Sequence, residues 1–294
     1  MPDGICCLCH RKADLLLSHI LPAFLFRWLR ETSGNGHIRS SDQPNLRVQD
    51  GIKRHWLCAE CEQNFGQSEK AFADRLFYPY LNGPSESFRY SEWLLHFCVS
   101  VSWRVLRLSL ELNSFADWEP DSIQKLYDAE IVWREFLLRK RPHPGRFRQQ
   151  LLPLDQITGG NSGLVPNINR YLMRAIQMDL CRGRENIFTY SKLGRFIVIG
   201  CAHEPNLQQW QGTAVNANGG VIGPREYVVP RALGSYLNEQ AQKISASLSS
   251  VSERQKAKID SAFRVNIDQF VGSDAFSALK ADALLFGEDA IWDR

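Results

Sequence analysis

No stretch of this chain is long and apolar enough to cross a bilayer. Its most apolar long run, Trp93 to Leu112, is interrupted by Arg104 and Arg107, whereas a span needs about twenty predominantly apolar residues. The run reads as a buried helix, and no membrane partner is expected. The opening Met1-Pro2-Asp3-Gly4 has neither the basic start nor the apolar run of a secretory signal, so a cytoplasmic protein is expected. A strong charge of one sign is lacking too. The formal net charge is +3 over 294 residues, which leaves any nucleic-acid contact to local basic clusters rather than a broad polyanion-binding surface. No repeat of fixed period and no low-complexity tract occurs, and apolar and charged content are near globular averages, which excludes a disordered tail. The glycine-rich segment from Asn218 to Pro224 lacks the lysine and the strand-to-helix context of a phosphate loop, so a hairpin turn is expected there.

Cysteine, in contrast, is present and unevenly placed. Of eight cysteines, four form two Cys-x-x-Cys pairs, Cys6/Cys9 and Cys58/Cys61, Cys7 sits inside the first pair, and Cys98, Cys181 and Cys201 are scattered. Scattered cysteines among apolar neighbours pack as small hydrophobes. Two Cys-x-x-Cys pairs can supply four thiolates to one tetrahedral Zn²⁺. Without a secretory signal, structural zinc in a reducing cytoplasm fits better than a disulfide framework.

The expected fold class is α+β in three consecutive parts: an N-terminal zinc-binding treble clef (1–82), a helical middle with a basic linker (83–154), and a mixed strand and helix C-terminal domain (155–294). In the first part Leu15-Leu16-Leu17 leads into Ser18-His19, and Pro22 opens a short helix through Phe24, Phe26, Trp28 and Leu29. Gly34-Asn35-Gly36 and Asp50-Gly51 signal tight turns, the latter between strands at 46–48 and 52–57. The second Cys pair follows directly and begins a helix through Phe65, Ala71 and Leu76. Knuckle, hairpin, then Cys pair at a helix N-terminus is the treble-clef order, with zinc standing in for the core that so short a segment can hardly provide. Asn82-Gly83-Pro84-Ser85 marks a break. Helices are expected at about 91–113 and 120–140, the second opened by Pro120. Arg139-Lys140-Arg141-Pro142-His143-Pro144-Gly145-Arg146-Phe147-Arg148 is a basic segment that prolines keep out of helix. A loop is expected at 155–167, and strands at 171–180, 187–190, 196–201, 213–215 and 227–229. From Arg231 the pattern turns helical, with a bend or break near Ser245–Ser250, and a short helix at 274–285 closes the chain.

Phosphodiester hydrolysis requires a base for the attacking water and a cation for the charge that develops on phosphate. Histidine can be the base because it titrates near neutrality; Mg²⁺ or Mn²⁺ needs oxygen ligands. His19 lies before the first helix, and Glu62, Asn64 and Glu69 lie on the helix that the second Cys pair begins. Cys6-x-x-Cys9, Ser18-His19-Ile20-Leu21-Pro22 and Leu57-Cys58-Ala59-Glu60-Cys61-Glu62 together resemble the zinc-containing branch of the HNH endonucleases, over about residues 5–75. The resemblance implies a ββα-metal nuclease fold, with His19 the general base, the four cysteines on structural zinc, and Glu62 in the place of the metal-binding second histidine. It departs from the family at Ser18, where an acid or histidine is usual, and at Lys53, where the asparagine falls.

Each assignment has a plainer alternative. His19 can cap or pack against the knuckle, Glu62 and Glu69 are acids of a first helical turn and its exposed face, and the basic segment can be a solvated linker. His37 and His55 read as solvated hairpin residues. The leading expectation is HNH-like, metal-dependent cleavage of nucleic acid, DNA more than RNA. Its catalytic residues are His19 and Glu62, with Glu62 and Glu69 candidate ligands of a catalytic cation and Arg139, Lys140, Arg141, Arg146 and Arg148 contacting nucleic acid. The other expectation is a catalytically silent zinc module that binds nucleic acid or a protein partner.

Overall fold

The computed structural model describes residues 2–33, 36–83, 86–113, 115, 117–160, 163–265 and 267–288. β1 (Asp3–Ile5) and β2 (Lys12–Asp14) pair antiparallel, and the loop between them carries the first Cys pair. β3 (Leu16–His19), α1 (Ala23–Glu31), β4 (Ile38–Arg39), β5 (Arg47–Val48) and β6 (Lys53–Leu57) follow. β5 pairs with β4, and β6 with β3, so that His19 lies opposite Lys53 and Leu16 opposite Leu57. Asp50-Gly51 is therefore no hairpin turn between 46–48 and 52–57; Asp50 Oδ1 accepts from the Gly51 amide at 2.9 Å instead. The reason is burial. Trp56 and Leu57 reach the core only if β6 lies on β3. Within the Gly34-Asn35-Gly36 and Asn82-Gly83-Pro84-Ser85 signals, residues 34, 35, 84 and 85 lie outside the described residues.

α2 (Ala59–Phe72) runs through a wider π-type turn at Ala73–Phe77 into α3 (Tyr78–Asn82), and β7 (Phe88–Tyr90), α4 (Glu92–Leu112) and α5 (Pro120–Leu137) come next. β8 (Gln149–Pro153), α6 (Ile168–Arg174), β9 (Ile176–Arg182), β10 (Ile187–Leu193), β11 (Phe196–His203) and β12 (Gly220–Ile222) precede the C-terminal helices α7 (Arg231–Ser249), α8 (Glu253–Val265), α9 (Ile267–Val271) and α10 (Asp274–Phe286). Four strands form a sheet in the order β8-β11-β10-β9.

Three further expectations change. Residues 171–174 are helical because Tyr171 and Leu172 join Ile168 on one face of α6, where they meet Ala241. Gly220–Ile222 is a strand rather than a turn, paired with β7; the turn itself is at Gly219 (φ +88°), where a Cβ would lie 2.4 Å from the Tyr90 carbonyl oxygen. The segments 213–215 and 227–229 make single bridges only, Ala214 with Gln150 and Val228 with Gln211. The helix from Arg231 breaks at Ser250–Ser252 before α8.

The chain forms two compact units. One comprises residues 1–22, 52–153 and 177–229; the other 23–51, 154–176 and 230–294. In the first unit α4 is buried on almost every side, against α2, α5 and the sheet. That explains a run apolar all round. Phe72 and Phe97 stack at 4.0 Å between centroids, and Trp103 meets both Trp56 and Phe65 edge-on. In the second unit Asp282 of α10 accepts the amides of Asn169 and Arg170 at 3.0 and 3.1 Å, satisfying donors at the start of α6. Arg174 lies 4.7 Å over the Trp28 ring and donates to the Leu29 carbonyl and the Thr32 hydroxyl, tying α6 to α1.

Candidate metal centre and its surroundings

The loop after β1 turns tightly. The Cys6 amide donates to the Arg11 carbonyl, the His10 amide donates to the Cys6 carbonyl, and His10 takes a left-handed φ of 60°. This aims Cys6 and Cys9 at the start of α2, where Cys58 is the N-cap residue and Cys61 lies within the first turn. All four sulfurs lie within 4.8 Å of one another, with Cys9 and Cys58 Sγ 3.8 Å apart. Tetrahedral zinc with Zn–S near 2.3 Å requires S···S of about 3.8 Å, so the cluster fits a metal such as zinc. The Cys58 amide points at Cys6 Sγ (3.4 Å), and Arg11 Nε at Cys9 Sγ (3.4 Å). Arg11 also pairs with Glu60, between the two cysteines of the second pair.

The thiols polarise one another. The hydrogen bond from Cys61 holds Cys6 down at about 4, while Cys61 itself is pushed well above an ordinary thiol and burial raises Cys58. Cys6 is thus the thiol of this set that gives up its proton first, with Cys61 donating to it. Cys7 stays outside, its amide donating to the Trp56 carbonyl and its thiol raised by burial. Cys98 and Cys201 are fully buried, with thiols raised by desolvation, Cys201 to about 12. They pack as small hydrophobes.

β3 and α2 bring together residues 44 positions apart. Ser18 is buried on β3, and its hydroxyl donates to Glu62 Oε2 at 2.6 Å. His19 is half-buried on the next position. Its carbonyl accepts from Arg104 Nη1 at 3.0 Å. The same nitrogen pairs with Glu69 Oε1 at 2.7 Å, and the Arg104 side chain is only 4% exposed. Glu69 therefore sits in a buried ion pair with its charge already matched. Arg104 is the residue to which sequence reasoning gave no role; an arginine inside an apolar run was the available signal. Lys53 faces His19 across the β3–β6 ladder. Asn45 belongs to the second unit, where its amide binds the Ser250 carbonyl and its oxygen accepts from the Ser252 amide. His55 is anchored by Nδ1 to the Leu15 carbonyl at 3.1 Å.

The basic segment connects α5 to β8. Arg139, Lys140, Arg141, Arg146 and Arg148 are all exposed, while Phe147 between them is buried. Arg141 pairs with Glu135 (2.8 Å) and Arg146 with Asp128 (3.4 Å), both on α5. No family model, curated protein or solved structure matches the chain. No helix of the described residues is long and apolar enough to cross a membrane.

Proposed function

We propose that β3, β6 and α2 of the first unit, with zinc on the four cysteines, form a treble-clef ββα arrangement that hydrolyses nucleic-acid phosphodiesters, DNA in preference to RNA. The observation that carries this reading is the approach of β3 to α2, in which the Ser18 hydroxyl meets Glu62 at 2.6 Å and His19 occupies the adjoining position. Glu62 is thereby tied to the strand residue that precedes His19, 44 positions away in sequence. His19 takes a proton from water, the hydroxide attacks phosphorus, and the P–O bond to the leaving oxygen breaks as that oxygen gains a proton. Glu62 supplies the oxygen ligand that a hard cation needs. Mg²⁺ or Mn²⁺, when bound, stabilises the charge on phosphate. Zinc on Cys6, Cys9, Cys58 and Cys61 holds the two halves in register.

Cleavage of supercoiled, linear and single-stranded substrates with Mg²⁺ or Mn²⁺ tests this. His19→Ala is expected to lower the rate by roughly 10² or more, the size of a general-base contribution, with unchanged zinc content. A second reading, a catalytically silent zinc module, is favoured by one observation: the Glu69 carboxylate is matched by Arg104, which leaves Glu62 alone as a carboxylate ligand. Absence of cleavage of every substrate with every divalent metal would select it.

A further inference from the structure

A cleft of about 580 Å³ opens in the first unit where the start of α5, the turn from β9 to β10 and the end of β11 converge. That volume falls in the range of small-molecule sites, roughly 300–1,000 Å³. Its walls carry Lys125, Arg182, Arg184, Ser122, Asn186 and His203. Glu119 and Glu185 also line it. Partners divide these charges into two classes. Lys125 is matched by Asp121 at 2.7 Å. Glu204, nearby, is taken up by the Trp210 indole (2.9 Å), the Asn206 amide (2.9 Å) and Asn186 Nδ2 (3.4 Å). Arg182 and Arg184 have no carboxylate partner among the described residues, and Glu119 and Glu185 have no cation.

Arg182 is also held in place. Its guanidinium lies 5.0 Å over the Trp118 ring, and Nη1 donates to the Asp117 carbonyl at 3.2 Å. A guanidinium fixed by stacking keeps its remaining donors pre-organised for an oxyanion. The turn that carries Arg184 is closed by the Gly183 amide on the Asn186 carbonyl at 2.9 Å. α5 points its N-terminus into the same cleft, adding partial positive charge. His203 faces it as a neutral imidazole near pH 7, because burial and then the Lys125 charge lower its proton affinity.

The two unmatched carboxylates limit what can bind. A continuous phosphate backbone would meet Glu119 and Glu185 as like charges, which disfavours a polyanion. No Phe, Tyr or Trp is among the residues that line the cleft to stack a base. Carboxylates instead accept from hydroxyls. We propose that this cleft binds a small phosphomonoester bearing hydroxyl groups, with the phosphate on Arg182 and Arg184 and the hydroxyls on Glu119 and Glu185. Free phosphosugars and the sugar-phosphate half of a nucleotide share this chemistry. The proposal is independent of the reading of His19.

Calorimetric titration of the full-length protein with ribose 5-phosphate, adenosine monophosphate, ribose and inorganic phosphate tests it. Ribose 5-phosphate is expected to bind, ribose not, and inorganic phosphate more weakly. Arg182→Ala and Arg184→Ala should each weaken ribose 5-phosphate about tenfold or more, as expected for loss of a charged hydrogen bond. Glu119→Gln/Glu185→Gln should weaken it while leaving inorganic phosphate unchanged. All four side chains are on the surface, so folding is checked simply by an unchanged melting temperature. Adenosine monophosphate binding as tightly as ribose 5-phosphate identifies a nucleotide source, and weaker binding a free phosphosugar; either supports the site. No binding of any phosphomonoester at millimolar concentration overturns it. So does an affinity equal to that of inorganic phosphate and insensitive to the carboxylate variants, which would be an adventitious ion only.

Discussion

His96 lies on α4 between the rings of Phe65 and Phe136, with centroids 6.4 and 6.2 Å away. Its Nε2 is buried with no hydrogen-bond partner among the described residues. Burial lowers its proton affinity below the ordinary histidine value, and the Arg139 charge adds to this. The unfolded chain therefore holds this proton more tightly than the folded one. Between the lowered folded pKa and the unfolded value near 6.5, stability rises with pH; the contribution is complete above about 6.5 and is lost as pH falls through that window. Urea unfolding at a series of pH values from 7.5 to about 5 should show this slope. His96→Leu should flatten the slope without abolishing it, because burial lowers His37 and His203 as well. An unchanged slope in His96→Leu would show that this imidazole titrates alike in both states. Sequence reading placed His96 on a buried helix but carried no information on its ring neighbours, which come from α2 and α5.

At the scale of elements, the end of α5 shows how one residue serves two demands. The Arg139 amide donates to the Phe136 carbonyl and the Lys140 amide to the Glu135 carbonyl, at 2.9 and 2.8 Å, a Schellman closure. This requires Arg139 at φ 58°, a left-handed position that favours glycine. Arg139→Gly is expected to stabilise the protein by about 1 kcal/mol, read from denaturant midpoints. If Arg139 contacts phosphate, the same variant should also reduce the slope of log affinity for B-DNA against log salt by about 0.9. A gain in stability with no change of slope would leave Arg139 a cap alone. Sequence pattern located the end of this helix to within three residues, because Pro142 and Pro144 forbid its continuation. It missed β8, whose five residues are all buried and begin Gln149-Gln150, so that neither alternation nor an apolar run marks the strand. Those glutamines are accommodated by partners remote in sequence. Ser102 donates to Gln149 Oε1 at 2.7 Å, and Thr213 to Gln150 Oε1 at 2.9 Å.

For the whole molecule, the four-cysteine cluster and the buried helix α4 are parts of one unit. Trp56 of β6 meets Trp103 at 6.4 Å and donates to Glu111 at 2.8 Å, and Arg104 reaches the His19 carbonyl. Structural zinc contributes on the order of 10 kcal/mol in isolated fingers. Removing it with a chelator should therefore loosen α4 together with α2. Hydrogen exchange is expected to rise in both, while α6 and α10 of the second unit, which share the core around Tyr171, keep their protection. Protection of α4 unchanged by chelation would show that the cysteine cluster and α2 are energetically independent of α4. The companion variant Cys58→Ser/Cys61→Ser should lose the single equivalent of zinc that a four-thiolate site holds.

What the sequence determined by itself was local or periodic. Cys-x-x-Cys spacing picked out four cysteines that could hold a metal, proline set the start of α5 and the basic turn after it, and apolar period located α4, α5, α7 and α10. Each of these depends on residues within a few positions of one another, so one chain read in order contains it. Tertiary structure alone decided what depends on distant partners. It put β6 on β3 rather than on β5, matched the Glu69 charge with Arg104, and made α6 a helix by giving Tyr171 and Leu172 a face to cover. Burial and charge pairing are properties of where segments meet. Ser18 and Glu62, 44 positions apart and 2.6 Å from each other, become neighbours only once β3, β6 and α2 have packed.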